Sequence, residues 1–276
     1  MTIRTRGLII RETDVSDYDK MMTVLTPDYG KISVFGRGIK RYTSPYFHAA
    51  QLFCYSDFLL YAKKQYYILN ECECVESFFS LRDEIGALSL ATYLADIAGD
   101  ICLEGENEAD MLQLTLNALY CLLRKSKPEY IIKGAYEFRA AAIAGFLPQI
   151  GACAGCGCET GDPYMYLDVM NGLLYCERCY RAADFLSEAP GHEGTARIIR
   201  RLPPGVLAAL RYIITTRAAK QFSFILKAEA AAPFSEVCET FLLSHLGHGF
   251  STLSFYKEIL RLAEPGDGKA ETNTTK

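Results

Sequence analysis

Four cysteines at two fixed spacings are the residues of this 276-residue chain best suited to chemistry. Cys153 and Cys156 lie in "GACAGCGCET", Cys176 and Cys179 in "LLYCERCY", so the pattern is C-x2-C-x19-C-x2-C. Each C-x-x-C puts two thiolates on one tight turn, and two such turns close a tetrahedron of sulfur around Zn²⁺ at about 2.3 Å per bond. Gly155 and Gly157 suit that turn because they free the backbone to bend around the metal. Other readings of the same residues make different demands. A dithiol–disulfide enzyme uses one C-x-x-C at the start of a helix, whereas here two pairs sit in a glycine-rich loop. A catalytic zinc keeps one coordination position open and usually includes His or a carboxylate, whereas four cysteines close the shell. Cys158 is a fifth thiol two residues after Cys156; C-x-C makes a poorer knuckle, so it reads as a spare.

The second pattern is cationic. In "KISVFGRGIKR" strand period two places Lys31, Ser33, Phe35 and Arg37 on one face, with Ile32 and Val34 on the other. Single-stranded nucleic acid asks for that interleaving, since cations follow phosphates and a ring stacks on a base without reading it. Arg4 and Arg6 share a face of the first strand, and Lys40 and Arg41 continue the loop after it. The competing reading is a solvated barrel face carrying ordinary surface charge.

Enzyme signatures are missing from the sequence: there is no phosphate-binding G-x-x-x-x-G-K-[ST], no H-E-x-x-H and no G-x-S-x-G. His245 and His248, with Gly247 and Gly249 beside them, read as a helix end. No enzymatic function is expected.

The elements that must hold these residues follow from periodicity. Up to about Glu76 the chain alternates in short strands: "TIRTRGLIIRE", "KMMTVLT", "KISVFG" after the turn "PDYG", and two more around Lys63–Lys64. Five strands in about eighty residues predict a closed barrel of the oligonucleotide/oligosaccharide-binding (OB) type, residues 1–80, with an SH3-like barrel as competitor. From about Ser80 the period lengthens. Apolar residues recur at three or four from Ile85 to Ile101 and from Leu112 to Leu123. A third helix starts near Pro128 and stops before Pro148. Helical patterning returns over Thr195–Leu202, Gly205–Thr216 and Phe234–Leu246. The fold class is therefore α+β: a barrel, then an all-helical domain over 81–262 with the four-cysteine loop at 151–182 inserted, then a polar tail, 263–276, expected to be disordered. Cys54, Cys72, Cys74, Cys102, Cys121 and Cys238 sit in strand or helix patterns and read as small buried residues.

With half the residues hydrophobic and 22% charged, the chain is that of a folded protein, and no stretch has the length of a membrane span. An odd count of eleven cysteines argues against full disulfide pairing and for a reducing, cytoplasmic setting. The formal charge of −4 resides outside the first eighty residues, which are nearly neutral and hold the basic stretch.

The barrel with "YGKISVFGRGIKR", the segment "YEFRAAAIAGFLPQIGACAGCG" and then "NGLLYCERC" together resemble the bacterial recombination mediator RecO family over about residues 1–262. That resemblance implies an OB-fold barrel followed by a helical domain carrying a zinc loop. It implies binding of single- and double-stranded DNA, annealing of complementary strands, and loading of the recombinase RecA onto strands covered by single-strand-binding protein, together with RecR. It puts zinc on Cys153, Cys156, Cys176 and Cys179, and DNA-facing cations at Lys31, Arg37, Lys40 and Arg41. The acidic, Phe-terminated tail of single-strand-binding protein needs an apolar groove beside a cation. Tyr136 with Arg139 and the Arg197, Arg200, Arg201 cluster are the candidates for it. The reading from another class is a protein-interaction scaffold with a structural zinc and no direct DNA role.

Overall fold

The computed structural model describes residues 1–160, 163–182 and 197–263. Strands β1 (Thr2–Asp14), β2 (Lys20–Thr26), β3 (Gly30–Gly36), β4 (Cys54–Ala62) and β5 (Tyr67–Ser77) close into a barrel in the order β1-β2-β3-β5-β4. Every pairing is antiparallel except β3 with β5, the short parallel contact that completes the closure. Alternation does the folding: Ile32 and Val34 of β3 are fully buried, and they meet Val24 and Met22 of β2 inside.

The run Leu8–Ile9–Ile10 breaks this alternation, since all three are buried. Ile9 belongs to the barrel core, whereas Leu8, Ile10 and Leu25 belong to a second core made by the helices. A register shift between Ile9 and Arg11 lets neighbouring residues serve both sides. The barrel is thus apolar on part of its outer surface and must be covered there.

The cover is helical. In chain order come α1 (Ile85–Ile101), α2 (Ala109–Leu123), α3 (Glu129–Ile143), strands β6 (Met165–Asp168) and β7 (Leu173–Cys176), the short α4 (Glu177–Ala182), strand β8 (Ile199–Leu202), α5 (Pro204–Thr215), α6 (Ala231–Leu246) and α7 (Ser251–Ala263). Helices α1 and α2 meet β1 and β2. The β2–β3 turn docks on the α1–α2 connection: Lys31 N–H donates to the Leu103 carbonyl at 3.1 Å, Gly105 N–H to Tyr29 at 3.0 Å and Glu108 N–H to Pro27 at 2.9 Å. Gly30 makes that approach at φ +63°, and a Cβ there would stand 1.9 Å from the Leu103 carbonyl oxygen. Arg11 of β1 adds an ion pair to Asp96 of α1 at 2.8 Å.

Several expectations change. The stretch Thr195–Leu202, expected to be helical, contains β8, which joins β6 and β7 in a three-stranded sheet ordered β7-β6-β8. That sheet and helix α7 were not anticipated. Of the 263–276 tail, Ala263 closes α7 and the rest lies outside the described residues. Tyr136 is no partner-binding residue. It is fully buried, with its hydroxyl 2.9 Å from Thr115 Oγ1 and donating to the Leu94 carbonyl at 3.0 Å. It belongs to the helical core with Lys133, whose ammonium lies 2.7 Å from Glu137 and 2.8 Å from Glu239. His245 ends α6 as expected, and Gly247 caps it in the left-handed conformation at φ 76°.

Gly30→Ala is expected to destabilise the protein by about 2–5 kcal/mol, the sum of left-handed strain and overpacking. A thermal melt within 1 °C of the parent protein would show that the turn does not need this approach.

Candidate metal centre and nucleic-acid interface

Cys153, Cys156, Cys176 and Cys179 bring their sulfurs within 4.8 Å of one another. A tetrahedral Zn–S bond length implies sulfur–sulfur edges of about 3.8 Å. Cys156 and Cys176, at 3.7 Å, already stand at that separation. The first knuckle pairs with β7: Ala154 N–H donates to the Leu174 carbonyl at 2.7 Å, and Cys176 N–H points to Cys153 Sγ at 3.3 Å. A Cβ at Gly155 would lie 3.0 Å from Cys179 Sγ, and Gly157 turns at φ +74°. These are the two glycines the knuckle requires.

The charge state suits a cation. The Cys158 backbone N–H and neighbouring thiols hold the Cys156 thiol down to about 6. Contact with Cys156 pushes Cys158 and Cys179 up to about 12, so without a cation the cluster keeps some of its protons. A cation bound by the four sulfurs would release the proton of Cys179. The donor set therefore fits a metal ion that prefers thiolates. Cys158 lies 3.5 Å from Cys156, beside the cluster and outside the four that converge.

Two arginines support this centre that the cysteine spacing did not reveal. Arg211 of α5 donates to the carbonyls of Ile150 and Gly151 at 2.7 Å and of Glu159 at 2.6 Å, gathering both ends of the first knuckle onto the helix. Arg178, one residue before Cys179, sets its guanidinium against Cys156, a contact that raises its pKa further.

The barrel cations fall into three groups. Arg4 and Arg6 share a face of β1 as expected, and both point to Asp57, at 2.9 Å and 3.9 Å. Pairing continues across the sheet from Arg6 to Asp57 to Glu73, and from Arg4 to Leu59 to Glu71. These two arginines thus stand among three carboxylates. Lys31 does lie on the face opposite Ile32, but its ammonium donates to the Gly99 carbonyl in the last turn of α1. A cation at a helix C-terminus is favourable, so Lys31 serves the seam between barrel and helices.

The third group forms a rim. Arg37 is exposed after β3, and Arg41 lies over the Tyr18 ring at 4.5 Å. Lys40 pairs with Asp14 at 2.8 Å, and its backbone N–H donates to the Tyr18 carbonyl at 3.0 Å, folding this loop onto the β1–β2 turn. Asp19 accepts from Gly38 N–H at 2.6 Å, a bond that lowers its carboxyl pKa. Tyr42 projects with 87% of its surface exposed. Phe35 meets Tyr66 edge-on at 6.3 Å, and Lys63 lies over Tyr61 at 5.2 Å, extending the aromatic and cationic strip to the β4–β5 turn. Tyr18, Tyr66 and Lys63 were missed because they come from turns far apart in sequence.

The remaining candidates do not form one cluster. Strand geometry sends Arg200 and Arg201 to opposite faces of β8, so the expected cluster of Arg197, Arg200 and Arg201 is not formed on a helix. Arg200 pairs with Glu236 of α6 at 3.3 Å, whereas Arg201 lies over Tyr164 at 4.4 Å. Arg197 is exposed ahead of the strand. Arg139 is half-buried and donates to the Ile214 carbonyl at 3.0 Å, beside a 690 Å³ cavity that also contains Glu106, Glu108 and Asp110. A larger groove of 1080 Å³ has Tyr164, Arg201, Tyr212, Phe224, Ile225 and Lys227 among its walls.

Two family models match the chain: recombination protein O N terminal over residues 1–78 and recombination protein O C terminal over residues 82–254. A DNA repair protein RecO from Acetivibrio thermocellus is 28% identical over 94% of this chain and 98% of its own length. Another from Desulforudis audaxviator is 32% identical over 64% of this chain and 70% of its own.

Cys153→Ser and Cys176→Ser are each expected to lose stoichiometric metal, whereas Cys158→Ser keeps it; elemental analysis of the purified variants reads this directly. Equal metal content in all three would exclude the four-sulfur assignment.

Proposed function

The chain belongs to the recombination protein O family, and from that premise we propose that it is a DNA repair and recombination mediator that handles strands without covalent chemistry. The observation that carries this reading is the rim of the barrel. There Arg37, Arg41, Lys63, Phe35, Tyr18, Tyr42 and Tyr66 alternate cations with rings. Annealing requires two like-charged strands to approach each other. A surface that neutralises phosphates and stacks bases lowers that barrier for any sequence, and it serves single- and double-stranded DNA alike through the phosphates. Arg4, Arg6 and Lys31 contribute less to contact because carboxylates and a helix carbonyl already engage them; Lys40 shares its charge with Asp14.

The metal in this reading is one structural Zn²⁺, held by Cys153, Cys156, Cys176 and Cys179 with no ligand position left for a substrate. It ties the loop after α3 to β7 and α4. Bound there, zinc supplies folding energy to the loop and plays no part in strand handling.

Partners follow from the same premise. The acidic, Phe-terminated tail of single-strand-binding protein would enter the groove beside Arg201 and Lys227, where Ile225 is 89% exposed at the lip. The cavity at Arg139 suits it less, since three carboxylates there repel an acidic peptide. Engaging that tail while the barrel holds the strand would clear a path for RecA, with RecR as co-mediator. The setting is cytoplasmic, where its cysteines stay as thiols or metal ligands. Among the described residues no helix is long and apolar enough to cross a membrane.

Fluorescence anisotropy with a labelled oligonucleotide tests the rim. In Arg37→Ala/Arg41→Ala the slope of log affinity against log salt should fall by about 1.4, two single-strand phosphate contacts. Tyr42→Ala should cost about 1–3 kcal/mol of stacking. If both variants bind as the parent does, the rim is not the DNA surface, and a scaffold whose barrel binds protein becomes the better reading. For the groove, Arg201→Glu should weaken binding of an acidic Phe-terminated peptide at least tenfold while leaving the oligonucleotide affinity unchanged.

A further inference from the structure

Three cysteines of the barrel take no part in the metal centre, and two of them touch. Cys54 opens β4, and Cys72 and Cys74 lie on β5. Cys72 and Cys74 share one face of β5 and pair in continuous register with Phe58 and Ser56 of β4, and register shifts flank this stretch opposite Asn70 and Val75. Cys74 lies next to the second shift and is exposed, whereas Cys72 is buried. Period two puts Cys54 on the Ser56 side of β4, so both thiols meet over the same patch. Their sulfurs are 3.1 Å apart, closer than two non-bonded sulfurs normally rest and about 1 Å beyond a disulfide bond. Cys54 is buried and Cys74 exposed, so one thiol can be reached from solvent and the other cannot.

That asymmetry is the arrangement of a thiol attacked from solution with a second thiol held behind it. We propose that Cys74 and Cys54 form a peroxide-reactive modification site, in which Cys74 is oxidised first and Cys54 then closes a reversible disulfide. The Cys74 sulfur attacks one oxygen of hydrogen peroxide, the O–O bond breaks, and the departing hydroxide takes the Cys74 thiol proton as water, leaving a sulfenic acid. The Cys54 sulfur attacks that sulfur, its proton leaves with the hydroxyl as water, and the S–S bond forms. Two thiols and one hydrogen peroxide become one disulfide and two waters. Burial pushes the Cys54 thiol up to about 12, so it stays protonated and is the less reactive of the two toward an oxidant from solution. Cys72 is the competitor, but its sulfur donates to the Ala49 carbonyl at 3.4 Å, facing the barrel interior.

The bond would fasten the place where the chain leaves the barrel. Phe53 N–H, just before Cys54, donates to the Ile9 carbonyl at 2.9 Å, and Phe78 N–H, just after β5, donates to the Phe53 carbonyl at 3.1 Å. A cross-link over this 20-residue separation restricts the unfolded chain, so the oxidised protein should melt at a higher temperature. The rim residues are elsewhere, so oligonucleotide affinity should not change.

The test uses the full metal-loaded chain treated with equimolar hydrogen peroxide, alkylated, digested and mapped by mass spectrometry. The expected result is a Cys54–Cys74 linked peptide pair, two hydrogens lighter than the free peptides and released by dithiothreitol. In Cys54→Ser, Cys74 should stop at a sulfenic acid that dimedone captures. In Cys74→Ser, an exposed and mild change, Cys54 should remain a free thiol after the same treatment. The proposal is overturned if both cysteines stay alkylatable in the parent protein, if Cys74 proceeds to sulfinic acid with Cys54 free, or if Cys54 links to Cys72.

Discussion

The barrel has apolar residues on its outside, and the rest of the architecture depends on how they are covered. Leu8, Ile10 and Leu25 point away from the barrel core and are buried only because α1 and α2 lie against them. Each such side chain contributes roughly 1.5–3 kcal/mol when removed from water, so the seam outweighs any single polar contact that crosses it. The polar contacts then set its register. The β2–β3 turn reaches the α1–α2 connection through three backbone hydrogen bonds, and Gly30 is there because no other residue fits. Once the helices cover this face, the exposed aromatic residues of the barrel that remain include Tyr18, Tyr42 and Tyr66 on its turns and loops.

The same constraint separates what was legible in the chain from what was not. Period two and period three to four identified the five barrel strands and helices α1 to α3, because each runs long enough to average over local exceptions. The four cysteines were legible because a metal knuckle is a local motif. Strand β8 was not, since "IRRL" is too short for its period to register, and a helix and a strand give its arginines opposite neighbours. Lys31 shows the same limit from another side. Its face on β3 was read as it stands, yet whether that face meets solvent or α1 depends on Gly99, 68 residues away. Tyr136 sits in a helix with an arginine three residues later, and only the packing of α1 and α2 tells that its hydroxyl points inward.

The metal loop repeats this division between local and distant causes. Two tight turns bring the sulfurs near one another, and the β6–β7 hairpin holds the turns at the right separation. The loop would still hang from the helices by its ends without Arg211. That guanidinium spends its donors on three carbonyls of the loop, satisfying groups that no regular element would pair. The sheet then spans outward through β8, which carries Arg200 toward α6 and Arg201 toward the groove. A metal held by the four sulfurs would thereby also set the position of Arg201 beside the groove.

Two surfaces follow that do not compete. The rim is built on turns of the barrel, and the groove on β8, α5 and the segment before α6. Under the proposed function, binding a strand at one surface would leave the other accessible to a partner. Coupling between them would need a two-state element in the seam. The seam instead combines buried apolar side chains with Gly30, whose approach to the Leu103 carbonyl leaves no room for a Cβ. Under the proposed function, the partner's tail and the strand would be brought together by their shared attachment to the protein, an effective-concentration effect that requires no conformational change.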